Sequence, residues 1–368
     1  MKVIVVGGGI SGLSCATECI EKGMEVIVIE RHSTFGGQSR SEIHDNVSTC
    51  YSWRIFTTKY NNFFDILSRI PSNKGNLSVT DTFVWNAKYR TGNINDPTIH
   101  IAGIEWFRVP KDMPKDDVQY LKDKFVTMLS LSQERLRSLE DITAFEYINP
   151  RTKQQIQFVD HLLGPFSGME SRRVSVYCIC SLLQLYKNAK SVLPTEPFDD
   201  AIFSPWVSYL TKKGVQFKTK LNVEKVSSRG VFVSGGGFLE ADFIALCIEQ
   251  NQLLRLCTVS PELKIPNIEK FTQLVNQRYF SFELLLEDEI DIEFSTFTCK
   301  DVEWLPIVER WNKFWPKCSI PFGYMEQWNI AVLDDLPDRD GKCMSEYPPD
   351  KIVEECMSQL RRSNVLKD

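Results

Sequence analysis

The chain opens on an unbroken apolar run, Val3-Ile4-Val5-Val6, and the spacing of its apolar positions then changes. A short β-branched run of this kind predicts a buried parallel strand. After Gly7-Gly8-Gly9, the residues Leu13, Ala16 and Ile20 recur at helical spacing. They predict a helix from Ser11 to Lys22 with one buried face, ended by Gly23. Glu25 to Glu30 is apolar again and predicts a second strand. From about 55 to 195 the period turns helical. Tyr60–Ile70 carries Phe63, Phe64, Ile66, Leu67 and Ile70, and Asp116–Leu139 carries Val118, Leu121, Phe125, Met128, Leu129 and Leu136. Arg173–Leu193 predicts a further helix, with Pro194 after it. Shorter runs between Ser72 and Pro110 leave room for strands. From 214 to 248 strand-like and turn-like runs alternate, and Gly235-Gly236-Gly237 predicts a hairpin tip between Val231–Ser234 and Phe238–Ala241. Segments 275–295 and 318–335 read as strands. Residues 351–362 read as an amphipathic helix with Ile352, Val353, Cys356, Met357 and Leu360 on one side.

The opening order of strand, glycine turn, helix, strand and acid is that of a dinucleotide site. Gly7 permits the tight turn, Gly9 lets a pyrophosphate approach the backbone, and Gly12 lets the helix pack closely on the sheet. The N–H groups of the first helical turn, at Ile10 and Ser11, and the helix dipole favour phosphate. Glu30 at the strand tip accepts from the ribose hydroxyls and repels a 2′-phosphate. Arg31 beside it keeps that exclusion short of absolute. A glycine turn without a ligand is the alternative.

The segment Glu30-Arg31-His32-Ser33-Thr34-Phe35-Gly36-Gly37-Gln38-Ser39-Arg40-Ser41 resembles the flavin-containing amine oxidase and phytoene desaturase superfamily. The resemblance implies FAD, with Gly36 and Gly37 passing close to its pyrophosphate. The superfamily's arginine after the glycines is Gln38 here, so Arg40 is the nearest substitute for the phosphate contact. It further implies an aromatic loop beside the flavin, for which Trp53 within Cys50–Arg54 stands at the right distance, with ordinary aromatic packing as the alternative. Val223 matches the valine whose backbone holds the adenine. The segment Asn276-Gln277-Arg278-Tyr279-Phe280 matches the strand that carries a water-bridging lysine in many amine oxidases. It has no lysine, which leaves Arg278 as the catalytic candidate, with a surface strand position as the alternative. The implied fold is α/β: a doubly wound, Rossmann-like FAD-binding domain from 1–54 and 204–260, with an inserted α+β substrate domain from 55–203 and 261–335. Residues 336–368 form a C-terminal tail and helix. The superfamily's late strand with a Gly-Asp pair opening a helix has no counterpart in the sequence. The layout would run roughly a hundred residues further. FAD retention by these residues alone is therefore expected to be weak unless 336–368 or a partner chain covers the gap.

Bulk properties narrow the class. The 368 residues carry a net charge of −5, without the basic footprint of a nucleic-acid binder. No apolar run reaches the length of a membrane span. The N-terminus reads as a strand rather than a secretory leader, and a cytoplasmic location is expected. Eleven irregularly spaced cysteines argue for reduced thiols rather than a disulfide scaffold. Four histidines, with no cysteine–histidine cluster, give no support for a metal site. Trp304, Trp311, Trp315 and Trp328 are candidates for an apolar cavity, with core packing as the plainer reading. Glu287-Asp288-Glu289 and Arg172-Arg173 read as solvated. The leading expectation is an FAD-dependent oxidoreductase of the amine oxidase type, acting on a small amine or an isoprenoid, lipid-like molecule. A non-catalytic flavin-binding fragment and an NAD-linked dehydrogenase are the alternatives.

Overall fold

The fold is described from a computed structural model, which covers residues 1–44, 47–50, 56–75, 77–85, 91–93, 98–101, 104–108, 113–186, 189–274, 276, 279–289, 296–298, 303–304, 307–315, 323–330 and 340–362. The chain forms two compact units. One comprises Met1–Trp85, Val192–Leu274 and Trp315–Cys318; the other comprises Asn86–Ser191, Val275–Phe314 and Ser319–Asp368.

The first unit is built on the expected Rossmann-like α/β core. Strand β1 (Lys2–Val6) leads into helix α1 (Ile10–Glu21) and strand β2 (Glu25–Ile29), and strands β3 (Gln216–Lys218) and β4 (Phe243–Leu246) join much later. The sheet order is β3-β2-β1-β4, with every pair parallel and Val6 lying between Ile29 and Leu246. Ile4, Val6, Ile27 and Ile29 point to one side. There they pack on Val223, Val226, Val231 and Val233 of an antiparallel three-stranded sheet, and on Leu256. Val5 points to the other side, towards α1, where Gly12 sits on it. Helix α1 buries Gly12, Leu13, Ala16 and Thr17 and stops at Gly23, whose φ of +77° suits glycine. The triple-glycine hairpin forms as predicted, with Gly230–Val233 pairing antiparallel to Gly237–Glu240. Trp206, fully buried in the helix Ser204–Lys212, donates from Nε1 to Thr17 Oγ1 at 2.8 Å and ties that helix to α1.

The second unit has a helical core and a mixed sheet. Met113, Leu121, Phe125, Met128, Leu136 and Ile179 are among the residues buried together there. The helix expected over Asp116–Leu139 is two helices, Lys115–Leu129 and Gln133–Arg137. Ser132 caps the second, its hydroxyl accepting from Arg135 N at 3.2 Å, so the apolar period runs on across a break in the backbone. The helix expected to reach Leu193 ends at Tyr186, and Ser191–Pro194 is a strand antiparallel to Phe83–Trp85. An apolar run before proline does not by itself separate a helix end from a strand.

The mixed sheet contains β5 (Phe280–Leu286), β6 (Thr296–Thr298), β7 (Ile307–Arg310) and β8 (Tyr324–Ile330). Its order is β5-β8-β7-β6, followed by the short strand Thr91–Asn93, which runs parallel to β6; the other pairs are antiparallel. The expected C-terminal helix is α2 (Pro349–Arg362), which buries Ile352, Cys356 and Leu360. Among the described residues no helix is long and apolar enough to cross a membrane.

Candidate dinucleotide site

Four glycines at the end of β1 have different reasons to be glycine. Gly7 has φ +103°, and a Cβ there would lie 2.3 Å from the Cys247 carbonyl oxygen. A Cβ on Gly8 would lie 2.6 Å from Phe35 Cδ1, and one on Gly12 would lie 1.8 Å from the Gly7 carbonyl oxygen. The fold itself therefore demands glycine at these three positions. Gly9 is different. It caps α1 with φ −79° and ψ −176°, a conformation open to any residue, and a Cβ there would meet nothing closer than 3.6 Å. Packing within the chain does not require the missing side chain, and the space left clear at Gly9 is of the kind a pyrophosphate needs to approach the backbone. α1 has no side-chain cap and no acid in its first turn. Its leading N–H groups at Ile10, Ser11 and Gly12 lack intrahelical acceptors and present positive potential there.

The second loop lies directly against the first. Gly36 N donates to Gly8 O at 2.9 Å, and Gly9 and Gly36 form a parallel bridge. Gly36 and Gly37 have φ of +105° and +59°, and a Cβ on Gly37 would lie 3.1 Å from Gly9 Cα. Two backbones thus meet with no side chains between them. Gln38 is exposed on the short turn Gly37–Ser39. Arg40, the proposed phosphate contact, donates to Gly37 O at 3.0 Å and to Glu42 Oε1 at 2.9 Å, and so braces the loop from behind.

Glu30 is 5 % exposed. Its Oε2 accepts from Gly8 N at 2.7 Å and its Oε1 from His32 N at 2.8 Å. A carboxylate offers about four lone-pair positions, so two remain for a pair of ribose hydroxyls. Arg31 is half exposed, with Nε on His32 at 3.1 Å and a guanidinium nitrogen 4.0 Å from Glu249. The return segment runs along the tip of β2, because Glu30 N donates to Lys218 O and Leu221 N donates to Glu30 O. This brings Val223 into the neighbourhood of Glu30. Val223 O accepts from Arg255 at 3.0 Å, a brace no sequence signal announced. Gly8, Phe35 and Cys247 were likewise missed, because their roles are contacts across the turn. The Cys15 thiol, hydrogen-bonded to Cys247, is pushed up, while that bond holds Cys247 down.

Other candidates fall elsewhere. Trp53, Gln277 and Arg278 lie outside the described residues. Trp304, Trp311, Trp315 and Trp328 are all buried in packing. Arg172 is not simply solvated: its guanidinium lies 3.1 Å from both Asp160 oxygens and 4.0 Å from the Phe145 ring. Glu289 is not a bare strand end either, since it pairs with buried Arg310 and with Lys313, each at 2.6 Å. Those cations hold its carboxyl below the usual range, the Lys313 hydrogen bond foremost. Cys15, Cys19, Cys180 and Cys247 are free thiols, and no metal-binding cluster occurs among the described residues.

Comparison with known proteins agrees with this geometry. Residues 5–70 match the NAD(P)-binding Rossmann-like domain family. Carotenoid phi-ring synthase of Streptomyces griseus is 24% identical over 302 residues, covering 71% of this chain and 54% of that protein. The chain spans about half the length of the curated relatives it matches. Among solved structures, an oxidoreductase from Methanosarcina mazei superposes with a TM-score of 0.72 at 13% identity, covering 98% of this chain and 84% of that one. A putrescine oxidase variant gives 0.69 at 13% identity, covering 98% and 81%. The family match shows a Rossmann-like dinucleotide-binding domain over residues 5–70, and the superpositions show that the chain has the fold of these solved structures. The open Gly9 cradle and the two remaining lone-pair positions of Glu30 fit a dinucleotide such as FAD.

Proposed function

We propose that the protein is an FAD-dependent oxidoreductase of the amine oxidase type, removing a hydride from a C–N or C–C bond of a small molecule. The observation that carries this reading is Gly9, where clear space is reserved without any demand from the fold. In this reading the first unit holds the dinucleotide along Gly7, Gly9, Gly12, Glu30, Gly36 and Gly37, and the second unit supplies substrate contacts. FAD, when bound, supplies the hydride acceptor. The chain's own residues bind and orient it: the α1 N-terminus faces the pyrophosphate, Glu30 holds the ribose, and the Val223 backbone faces the adenine. A carboxylate at Glu30 disfavours a 2′-phosphate and so NADP. A C–C desaturation of an isoprenoid is the second reading, favoured by the carotenoid-modifying relative. The visible spectrum of the purified full chain tests both readings together. Bands at roughly 375 and 450 nm, the general flavin signature, are expected. A colourless protein that also fails to take up added FAD overturns the proposal.

A further inference from the structure

Two thiols from different elements meet beside the glycine turn. Along β4, Ile244 and Leu246 pack with Ile4 and Val6 on one side of the parallel sheet, and Ile248 continues that side. Strand alternation therefore turns Ala245 and Cys247 to the other side, where α1 lies. Cys247 N donates to Val6 O at 2.8 Å, which carries the ladder one residue past β4 and sets Cys247 beside the end of β1. On α1, Gly12 is the residue that sits on Gly7 and Val5. Cys15 follows Gly12 by three positions and so shares its face. There the Cys15 thiol donates to Cys247. Both thiols are free and half-buried. The Cys247 carbonyl oxygen would lie 2.3 Å from a Cβ on Gly7, so the backbone carrying one thiol packs directly on the turn.

We propose that Cys15 and Cys247 form a modification site, a thiol pair that hydrogen peroxide closes to a disulfide joining α1 to the segment after β4. Cys247 is the attacking sulfur, because the hydrogen bond from Cys15 holds it down and favours its thiolate. The thiolate takes one oxygen of the peroxide, the O–O bond breaks, water leaves, and Cys247 becomes a sulfenic acid. Cys15 Sγ then attacks that sulfur, the S–O bond breaks, and a second water leaves. Two thiols and one peroxide thus give one disulfide and two waters, the electron pair passing from sulfur to oxygen. Cys19, one turn along α1, is also hydrogen-bonded to Cys15. Yet Cβ atoms four residues apart on a helix stand about 5–6 Å apart, too far for the roughly 3.5–4.5 Å of a disulfide. Closing the link draws the Cys15 and Cys247 sulfurs from hydrogen-bonding contact to about 2.05 Å, and the Cys247 backbone that must shift is the one resting on Gly7. The oxidised chain then holds the dinucleotide more weakly, an effect that rests on the FAD reading above.

The test is peptide mapping of the purified full chain after hydrogen peroxide treatment, with remaining thiols blocked by iodoacetamide before trypsin digestion. The expected product is a link, cleaved by dithiothreitol, between the tryptic peptides 3–22 and 230–255. Cys19→Ser should leave this link intact. Cys15→Ser should remove it and leave a sulfenic acid on Cys247 that dimedone traps. FAD titration should show an affinity about tenfold or more lower in the linked than in the reduced chain. Absence of the link, a link that Cys19→Ser removes, or no trapped sulfenic acid on Cys247 in the Cys15→Ser chain overturns the proposal. Equal FAD affinity of the two forms overturns the effect on the turn. A chain that takes up no FAD in either form counts against the dinucleotide reading instead, and the peptide map still decides the thiol pair.

Discussion

The glycines of the first turn separate folding from binding at the scale of single residues. Gly12→Ala forces a methyl group to within 1.8 Å of the Gly7 carbonyl oxygen, which must displace backbone rather than a side-chain tip. Overpacking of this kind costs about 1–3 kcal/mol or more, so the flavin-free protein should show a lower melting temperature. Gly9→Ala meets no such contact. Its cost to the flavin-free protein should stay below about 1 kcal/mol, the scale of a weakened N-cap, while FAD affinity falls sharply. Differential scanning calorimetry and an FAD titration on both variants check the contrast; a Gly9→Ala protein with undiminished FAD affinity would refute the assignment. Glu30→Gln keeps the shape but loses the charge that strengthens the ribose bonds. Hydrogen bonds to charged groups contribute about 1.5–3 kcal/mol each, so FAD binding should weaken by roughly ten- to hundredfold. Fluorescence titration with FAD reads the change.

Single contacts between elements set how firmly the secondary structure is held. Trp206 packs fully buried and donates to Thr17, whose own hydroxyl donates to Leu13 O at 2.8 Å. Trp206→Phe removes one donor and part of a ring from the joint between α1 and the helix Ser204–Lys212. The expected loss is about 1–3 kcal/mol, measured by urea denaturation. On β7 the carboxyl of Glu309, buried and raised well above its ordinary range by that burial, makes stability depend on pH. A folded pKa raised above the unfolded value means that stability is full below the unfolded value, near the ordinary carboxyl range. It is then lost as pH rises towards the folded value. Glu309→Gln removes this dependence. The variant's melting temperature should therefore exceed that of the wild type at neutral pH, with the gap closing as pH falls towards about 4.5. A gap that stays constant with pH would show that the carboxyl does not titrate differently on folding.

At the scale of the whole molecule, the proposed reading assigns the dinucleotide to the first of the two units. A dinucleotide bound only to the folded first unit raises apparent stability by about 2.7 kcal/mol at a hundredfold excess over its dissociation constant. Hydrogen exchange should then slow at 1–44 and 214–247 when FAD is added, and change little in the helices Lys115–Leu129 and Val176–Tyr186. Equal protection of both units would count against assigning the dinucleotide to the first. Residues 56–85 show why such a division is hard to read from a linear pattern. The apolar spacing of Tyr60–Ile70 predicts a helix, and Asn61–Ser68 is one. Yet periodicity says only that a face is buried, not which body buries it, and this segment packs within the first unit.

The dinucleotide motif was legible in the sequence because its determinants are local. A strand, a turn that only glycine can make, a helix start and an acid at a strand tip lie within about forty residues, and each follows from backbone geometry and charge. The hairpin at Gly235–Gly237 and the helix α2 were legible for the same reason. Only the tertiary structure decided which glycines the fold requires and which it leaves with clear space, because that depends on atoms distant in sequence. Cys247 crowds Gly7, Phe35 crowds Gly8, and nothing crowds Gly9. The brace of helical Arg255 on Val223 and the pairing of Glu289 with Arg310 are likewise products of tertiary packing, and the place of Glu309 between Gln327 and Thr296 is one of sheet register. In sequence Glu309 is one acid among many. Its chemistry comes from the strands that remove it from water, and strand pairing across a long chain leaves no periodic trace by which to foresee it.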